Sequence, residues 1–399
     1  MGIRALQAVG LDAGGSRTRC VVCLLEEEQI RLVGLGESPS AGWGKGRIAD
    51  QAAVAESILA ALREAEQSSQ LSINSAVVGI GGASVRGANC RGIFELGRPR
   101  EIEQRDVNRV MDRASRVQLQ EDRMVLQMFP QDFVVDDHPG HCDPRNMLAS
   151  RLEANVHLVT ASIQEHNCLI GAVNQAHIEV EDTVFEPLAA CYAAVLPEDR
   201  REGIALADIG AQSTGLAVYY GDSLQLATGL AISGDHFTRD VARGLHVSFE
   251  DAALVKQEYG CALAGSTAEN SLIEVPTPEN RERREAPRRL LNDILEARAE
   301  ELFEHVKREL ARVGMERALL GGIVLTGGGS RLPGMCDMAE RVLGCQARNA
   351  MVIGIRDWIE DLDELGWATA AGLAMYAGKL KLQADVERQS LGLLGRILR

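Results

Sequence analysis

The residues best suited to chemistry come in two matching stretches. Val9-Gly-Leu-Asp-Ala-Gly-Gly-Ser-Arg-Thr-Arg-Cys-Val-Val-Cys-Leu-Leu25 reads as an apolar strand, a Gly-rich turn and a second apolar strand, with Asp12 at the first strand's exit. Ile204-Ala-Leu-Ala-Asp-Ile-Gly-Ala-Gln-Ser-Thr-Gly-Leu-Ala-Val-Tyr-Tyr220 repeats the pattern, with Asp208 in the same place. Glycine has no Cβ, so the N–H groups of Gly14, Gly15 and Ser16 can close around a phosphate without steric cost. A third stretch, Gly321-Gly-Ile-Val-Leu-Thr-Gly-Gly-Gly-Ser-Arg-Leu-Pro-Gly334, reads as a buried strand, three glycines and a helix start. There a purine or phosphate can lie against bare backbone. Two Asp-ended hairpins, one per half, predict a duplicated α/β unit with a nucleotide held between the halves.

The elements around these stretches read as a mixed sheet covered by helices. Ala55, Ile58, Leu59 and Leu62 give Ile48 to Glu66 a helical apolar face, and the polar stretch around Ser68-Ser69 ends it. Ser38 to Gly46 reads as a loop, and Leu71 to Ile80 as a strand ending in Gly81-Gly82. Residues 83–160 interrupt the pattern as an inserted subdomain: a helix from Asp106 to Arg116, a strand from Met124 to Asp136 holding Pro130, and a strand from Glu153 to Ala161. Glu186 to Val195 is an Ala-rich helix that pairs naturally with the small-residue helix Gly366 to Ala377. Glu250 to Tyr259 and Glu296 to Val313 are further helices.

Composition narrows the function. The 399 residues allow several domains with real cores, and a formal charge of −15 excludes the basic footprint of non-specific nucleic-acid binding. Nine scattered cysteines suit a reducing cytoplasm, and Cys20 and Cys23 read as core thiols rather than a metal or redox pair. His138 and His141 flank Pro139-Gly140 without further ligands nearby and read as solvated loop histidines. The opening residues do not read as a signal peptide, and no apolar run reaches spanning length, so the body is expected in the cytoplasm. Arg281 to Arg289 is basic within an acidic chain: either a solvated loop and helix start, or an electrostatic landing site. The end, Ser390 to Arg399, drawn as a helix puts Leu391, Leu394 and Leu398 on one face, widened by Leu393 and Ile397. It suits either an interfacial membrane helix or a helix docked on the protein's own core.

Together the two Asp hairpins, the two small-residue helices and Leu325-Thr-Gly-Gly-Gly-Ser-Arg-Leu-Pro-Gly334 resemble the actin-like ATPase superfamily. Within it the chain is similar to the FtsA family of bacterial cell-division proteins. Phe129–Asp136, Arg151–His157, Val184–Ala189, Lys256–Leu263 and Ile273–Pro276 carry the closer resemblance, which covers nearly the whole chain. It implies an α/β actin-like ATPase fold of two lobes of duplicated subdomains, with residues 83–160 as the inserted subdomain 1C. Subdomain 1A would take 1–82 and 161–203, 2A would take 204–229 and 301–365, and 2B would take 230–300. A return helix over 366–378, a linker over 379–389 and a membrane-targeting tail over 390–399 would follow.

By that resemblance ATP lies between the lobes. Asp12 and Asp208 would hold Mg²⁺ through water, and Gly14, Gly15, Ser16, Arg17, Gly210, Ala211, Gln212, Ser213 and Thr214 would wrap the phosphates. Gly327, Gly328, Gly329 and Ser330 would flank adenosine beside Gly234, Lys256 would reach the ribose, and Glu186 would orient metal-bound water. Arg17 stands where the family usually has Lys, while Ala211, Gln212 and Gly215 depart from its second turn, which implies ATP binding with slow hydrolysis at most. The family polymerises and tethers FtsZ filaments to the inner face of the cytoplasmic membrane as a peripheral protein. The FtsZ C-terminal tail would dock on 2B near Arg284, Arg288, Ile294 and Arg298, other division proteins would reach 1C, and the C-terminal helix would meet lipid. Two rival readings stay open at this point, a PilM-like pilus-assembly protein and a small-molecule kinase of the same superfamily.

Overall fold

The computed structural model describes residues 6–26, 29–276, 283–360 and 362–397, with the side chains of the last helix described through residue 384. The chain builds one five-stranded unit twice. In the first half, Leu6–Ala13, Arg17–Glu26 and Gln29–Pro39 form an antiparallel meander. Ser75–Ile80 and then Glu179–Phe185 add in parallel on the other side of the first strand, and Ile355–Arg356 extends the far edge. In the second half, Ile204–Ile209, Thr214–Tyr220 and Ser223–Leu230 repeat the meander, while Ile323–Thr326 and Ala347–Asn349 repeat the parallel addition.

Strands apolar on both faces need cover on both faces. In the first half, helix Gln51–Ser69 packs on one face with Ile163–Gln175 beside it, and Glu364–Ile397 packs on the other with Glu186–Ala194. Small residues let the last pair touch backbone to backbone, since a methyl on Gly372 would overlap the Ala189 carbonyl. Cys20 and Cys23 are both fully buried in this sandwich, and burial pushes both thiols up, Cys23 to about 12, which suits core packing and not thiolate chemistry.

The insert is a four-stranded sheet in the order Arg86–Glu101, Leu148–Ser162, Arg123–Val135, His138–His141, with helix Gln104–Ser115 on it. The register shifts at Pro130, leaving Gln131 outside the pairing, which is where a proline fits within a sheet. The shift lets Gln131 face the second half. Its Nε2 donates to Leu224 O at 2.8 Å, and its own carbonyl accepts from Ser223 Oγ at 2.7 Å. His157 makes a second joint, accepting the Ala227 N–H on Nε2 at 3.0 Å while Nδ1 donates to Asn89 Oδ1 at 2.5 Å. Thus the insert grows from the first half and braces the edge strand of the second.

Between Ser223–Leu230 and Ile323–Thr326 the chain adds helices Gly234–Leu245 and Phe249–Tyr259, the hairpin Leu272–Pro276 with Arg283–Pro287, and helix Arg288–Arg312. Their core is continuous with that of the second sheet.

Several elements differ from expectation. Helix Gln51–Ser69 starts and stops later, because Asp50 accepts the N–H groups of Ala52 and Ala53 while Gln70, at φ 57°, ends it. Ser68 and Ser69 therefore lie inside the helix. The expected loop at Ser38 to Gly46 contains a short hairpin, Trp43–Gly44 with Arg47–Ile48, turned by Lys45 and Gly46 at positive φ. His138 and His141 belong to a four-residue edge strand rather than a loop. Helix Arg288–Arg312 begins well before Glu296, and the last helix runs unbroken through the span expected to be a linker.

Candidate functional site: a cleft between two glycine turns

A cavity of about 630 Å³ lies between the two halves. Each wall follows from the duplicated unit: both hairpins end at the same edge of their sheets, so their Asp residues and Gly turns face each other. Gly14, Gly15, Ser16 and Arg17 line one side; Gly210, Ala211, Gln212 and Ser213 line the other. Gly327, Gly328 and Gly329 close one end with Gly234 and Lys256. Gly327 is a conformational requirement, at φ +82° with a Cβ there overlapping Asp208.

Three carboxylates from distant segments meet here. Asp12 is 8% exposed, Asp208 accepts the Thr369 hydroxyl on Oδ2 at 2.8 Å, and Glu186 lies against the Gly81 backbone. Burial, followed by the charges of its neighbours, holds Asp12 and Glu186 above the usual carboxylate range. Burial raises Asp208 too, against the opposing Thr369 hydroxyl and Arg19 charge. Such a cluster favours a bound cation. Among the described residues no three His, Cys, Asp or Glu side chains converge closely enough to grip a metal directly. Asp12 and Asp208 could hold a hydrated divalent cation through its water shell, and the bare turns beside them leave room for an anion.

Gln212 crosses the cleft. Its Oε1 accepts the Gly46 N–H at 2.7 Å, and its side chain packs over Gly15. Lys256 donates to Thr238 Oγ1 at 2.7 Å and to Gly234 O at 3.2 Å, so its ammonium is tied to helix Gly234–Leu245. Two expected ligands face away. Thr214 Oγ1 donates to Ile232 O and Ser330 Oγ to Thr326 O, each buried, because a hydroxyl beside a turn finds a carbonyl more readily than a cavity.

The expected partner surface is less free than its composition suggests. Arg284 donates to Leu245 O, Arg288 Nε to Tyr259 O at 2.8 Å, and Arg298 Nε pairs with Asp240 at 2.5 Å. Ile294 is half-buried against Gly244. These arginines hold the hairpin and helices together, so part of their hydrogen-bonding capacity is already used within the chain. Residues 281–282, Leu398, and the side chains of Leu391, Leu393, Leu394 and Ile397 lie outside the described residues.

Sequence reasoning missed Arg19, Thr369 and Arg331 at the cleft wall. Arg19 left one signal, a charge immediately ahead of the apolar run Cys20 to Leu25.

Two lobes, one Asp hairpin in each, and a cleft with acids between them define an actin-like nucleotide-binding fold. The PilM-PilN type IV pilus biogenesis complex resembles it with a TM-score of 0.68 at 20% identity, covering 94% of this chain and 99% of that one. MreB5 of Spiroplasma citri bound to ADP gives 0.56 at 12% identity, covering 95% and 98%. These likenesses show the fold alone. The sequence goes further: a family model described as "Cell division protein FtsA" matches residues 205–372, and "SHS2 domain inserted in FTSA" matches 82–160. The cell division protein FtsA of Pseudomonas aeruginosa is 34% identical over 94% of this chain and 90% of its own length. That of Bacillus subtilis is 33% identical over 88% and 80%. The chain belongs to the FtsA family of cell division proteins.

Proposed function

We propose that this chain binds ATP with Mg²⁺ in the cleft, self-assembles, and links FtsZ filaments to the inner face of the cytoplasmic membrane. The observation that carries the nucleotide part is the convergence of Asp12, Asp208 and Glu186 between two opposed Gly turns. Asp12 and Asp208 would hold the metal through its water, Gly14 to Arg17 and Gly210 to Ser213 would hold the phosphates, and Gly327 to Gly329 would hold the adenosine. Bound Mg²⁺ offsets phosphate charge and relieves the repulsion among the three acids. Glu186 is the acid that positions attacking water. Gly215 offers no carboxylate opposite Asp208, and the Gln212 amide is engaged by Gly46, so turnover is slow, well below about 1 per second.

Family membership supports the division role. The FtsZ tail docks on the segment containing Ile294 and Arg298, and other division proteins meet the insert. The terminal residues meet lipid as a peripheral anchor; among the described residues no helix is long and apolar enough to cross a membrane. Co-sedimentation with anionic liposomes and FtsZ, with and without residues 390–399, tests the tether: recovery with lipid after the deletion removes it. Calorimetry with Mg-ATP tests the cleft, and an absence of binding removes that part.

A further inference from the structure

The acidic end of the cleft carries its own cation. Arg19 is directly opposite Asp12 in the first hairpin, and cross-strand partners project from the same face. It lines the same cavity as Asp12, Asp208 and Glu186 and is only 9% exposed. One end of its guanidinium pairs with Glu37 at 2.7 Å, and its plane stands 5.4 Å from the Trp367 ring. Its Nε, fully buried, has no partner. Arg331 approaches from the other side, bonded to Asp363 at 3.0 Å, and a methyl on Gly366 would overlap both guanidinium groups. An arginine stays charged at any physiological pH, so this positive charge is permanent.

The second half has nothing equivalent, since the residue opposite Asp208 is Gly215. The balance of the lining makes the point general: five acidic and five basic side chains face the cavity of a chain whose formal charge is −15. A cleft that depended on a divalent cation alone would not need to be neutral beforehand.

We propose that Arg19 acts as a built-in counter-cation of the acidic cluster, a positioning residue that lets this chain hold adenine nucleotide with a weakened requirement for divalent metal. The inference rests on the cleft being a nucleotide site. Glu37 and the Trp367 ring hold the guanidinium in place, so it acts on the cleft through its fixed charge. In the metal-free cleft Arg19 screens Asp12 and Asp208 from the incoming phosphates, the task a divalent ion would otherwise perform.

The test is the ratio of two dissociation constants for fluorescent ATP, one measured with Mg²⁺ and one with EDTA, in the full-length native protein and in Arg19→Ala. The ratio is expected to widen by about tenfold or more in the variant, equivalent to 1.4 kcal/mol. Arg19→Lys should fall between the two, keeping the charge but not the fork. Arg19→Gln replaces Arg19→Ala should the latter fail to fold, which thermal melting reports. A ratio that widens by less than about tenfold in the charge-removing variant overturns the proposal. Native protein that binds no nucleotide even with Mg²⁺ overturns the cleft reading itself, and this proposal with it; Mg²⁺-dependent binding with an unchanged ratio sinks the role of Arg19 alone.

Discussion

The two halves of the chain fold the same five strands in the same order, yet they spend their connections differently. In the first half the third strand reaches its parallel neighbour through one helix, Gln51–Ser69, and the insertion comes later, as the sheet containing Leu148–Ser162. In the second half that same connection holds the helices and hairpin between 234 and 312. The Asp hairpins that the halves share face the cleft, and Gly234 and Lys256, from the second half's own addition, line it beside them. The difference teaches where a ligand site can sit: the cleft needs the Asp hairpin of both copies.

Copying one half into the other breaks the comparison most severely. Gly10 corresponds to Leu206 two residues before each Asp, but the last helix crosses directly over Gly10. Gly10→Leu is expected to cost about 3 kcal/mol through overpacking, read as a lower denaturation midpoint. The joint made by the insert comes next. Burial, then the charge of Arg312, holds His157 down at about 4, so the folded state carries it neutral. Its contribution is full above the unfolded value near 6.5 and is lost as pH falls towards 4, a drop of about 3 kcal/mol in stability. Urea melts of native protein and His157→Gln across that window check it; parallel pH slopes would remove His157 as the cause.

Symmetry in the cleft can be tested one Asp at a time. Asp12→Ala and Asp208→Ala are each expected to lower Mg-ATP affinity about tenfold or more, near 1.4 kcal/mol. Equal losses by calorimetry sharpen the comparison, and unchanged affinity in both breaks it. The smallest effect belongs to the Gln212 bridge. Gln212→Gly removes its bond to Gly46, and the two halves should part more readily by about 1 kcal/mol, seen as faster amide exchange around Gly46.

Much of this was legible in the residues because the chemistry is local. A turn that cradles phosphate demands glycine, and an Asp at a strand exit is visible without its neighbours. The role of Arg19 was not visible, since Glu37, Trp367 and Asp208 reach it from three other segments. Nor was the strand Arg86–Glu101, whose glycines, proline and charges carry no strand pattern; pairing with Leu148–Ser162 imposes it. The basic run is only half legible for the same reason. Composition shows the charges of Arg284, Arg288 and Arg298, but their partners at Leu245, Tyr259 and Asp240 are set by packing.

The final helix ties these observations together mechanically. Glu364–Ile397 starts at the cleft, where Thr369 holds Asp208, and is fixed halfway by Lys381, which pairs with Glu181 at 2.8 Å. Its 34 residues make a rod of roughly 50 Å at the usual helical rise. A stiff rod pinned at its start and middle behaves as a lever with a fixed fulcrum. With the pivot at Lys381 the two arms are nearly equal, so a rotation at the Asp208 end would be returned at the far end with the same amplitude and the opposite direction.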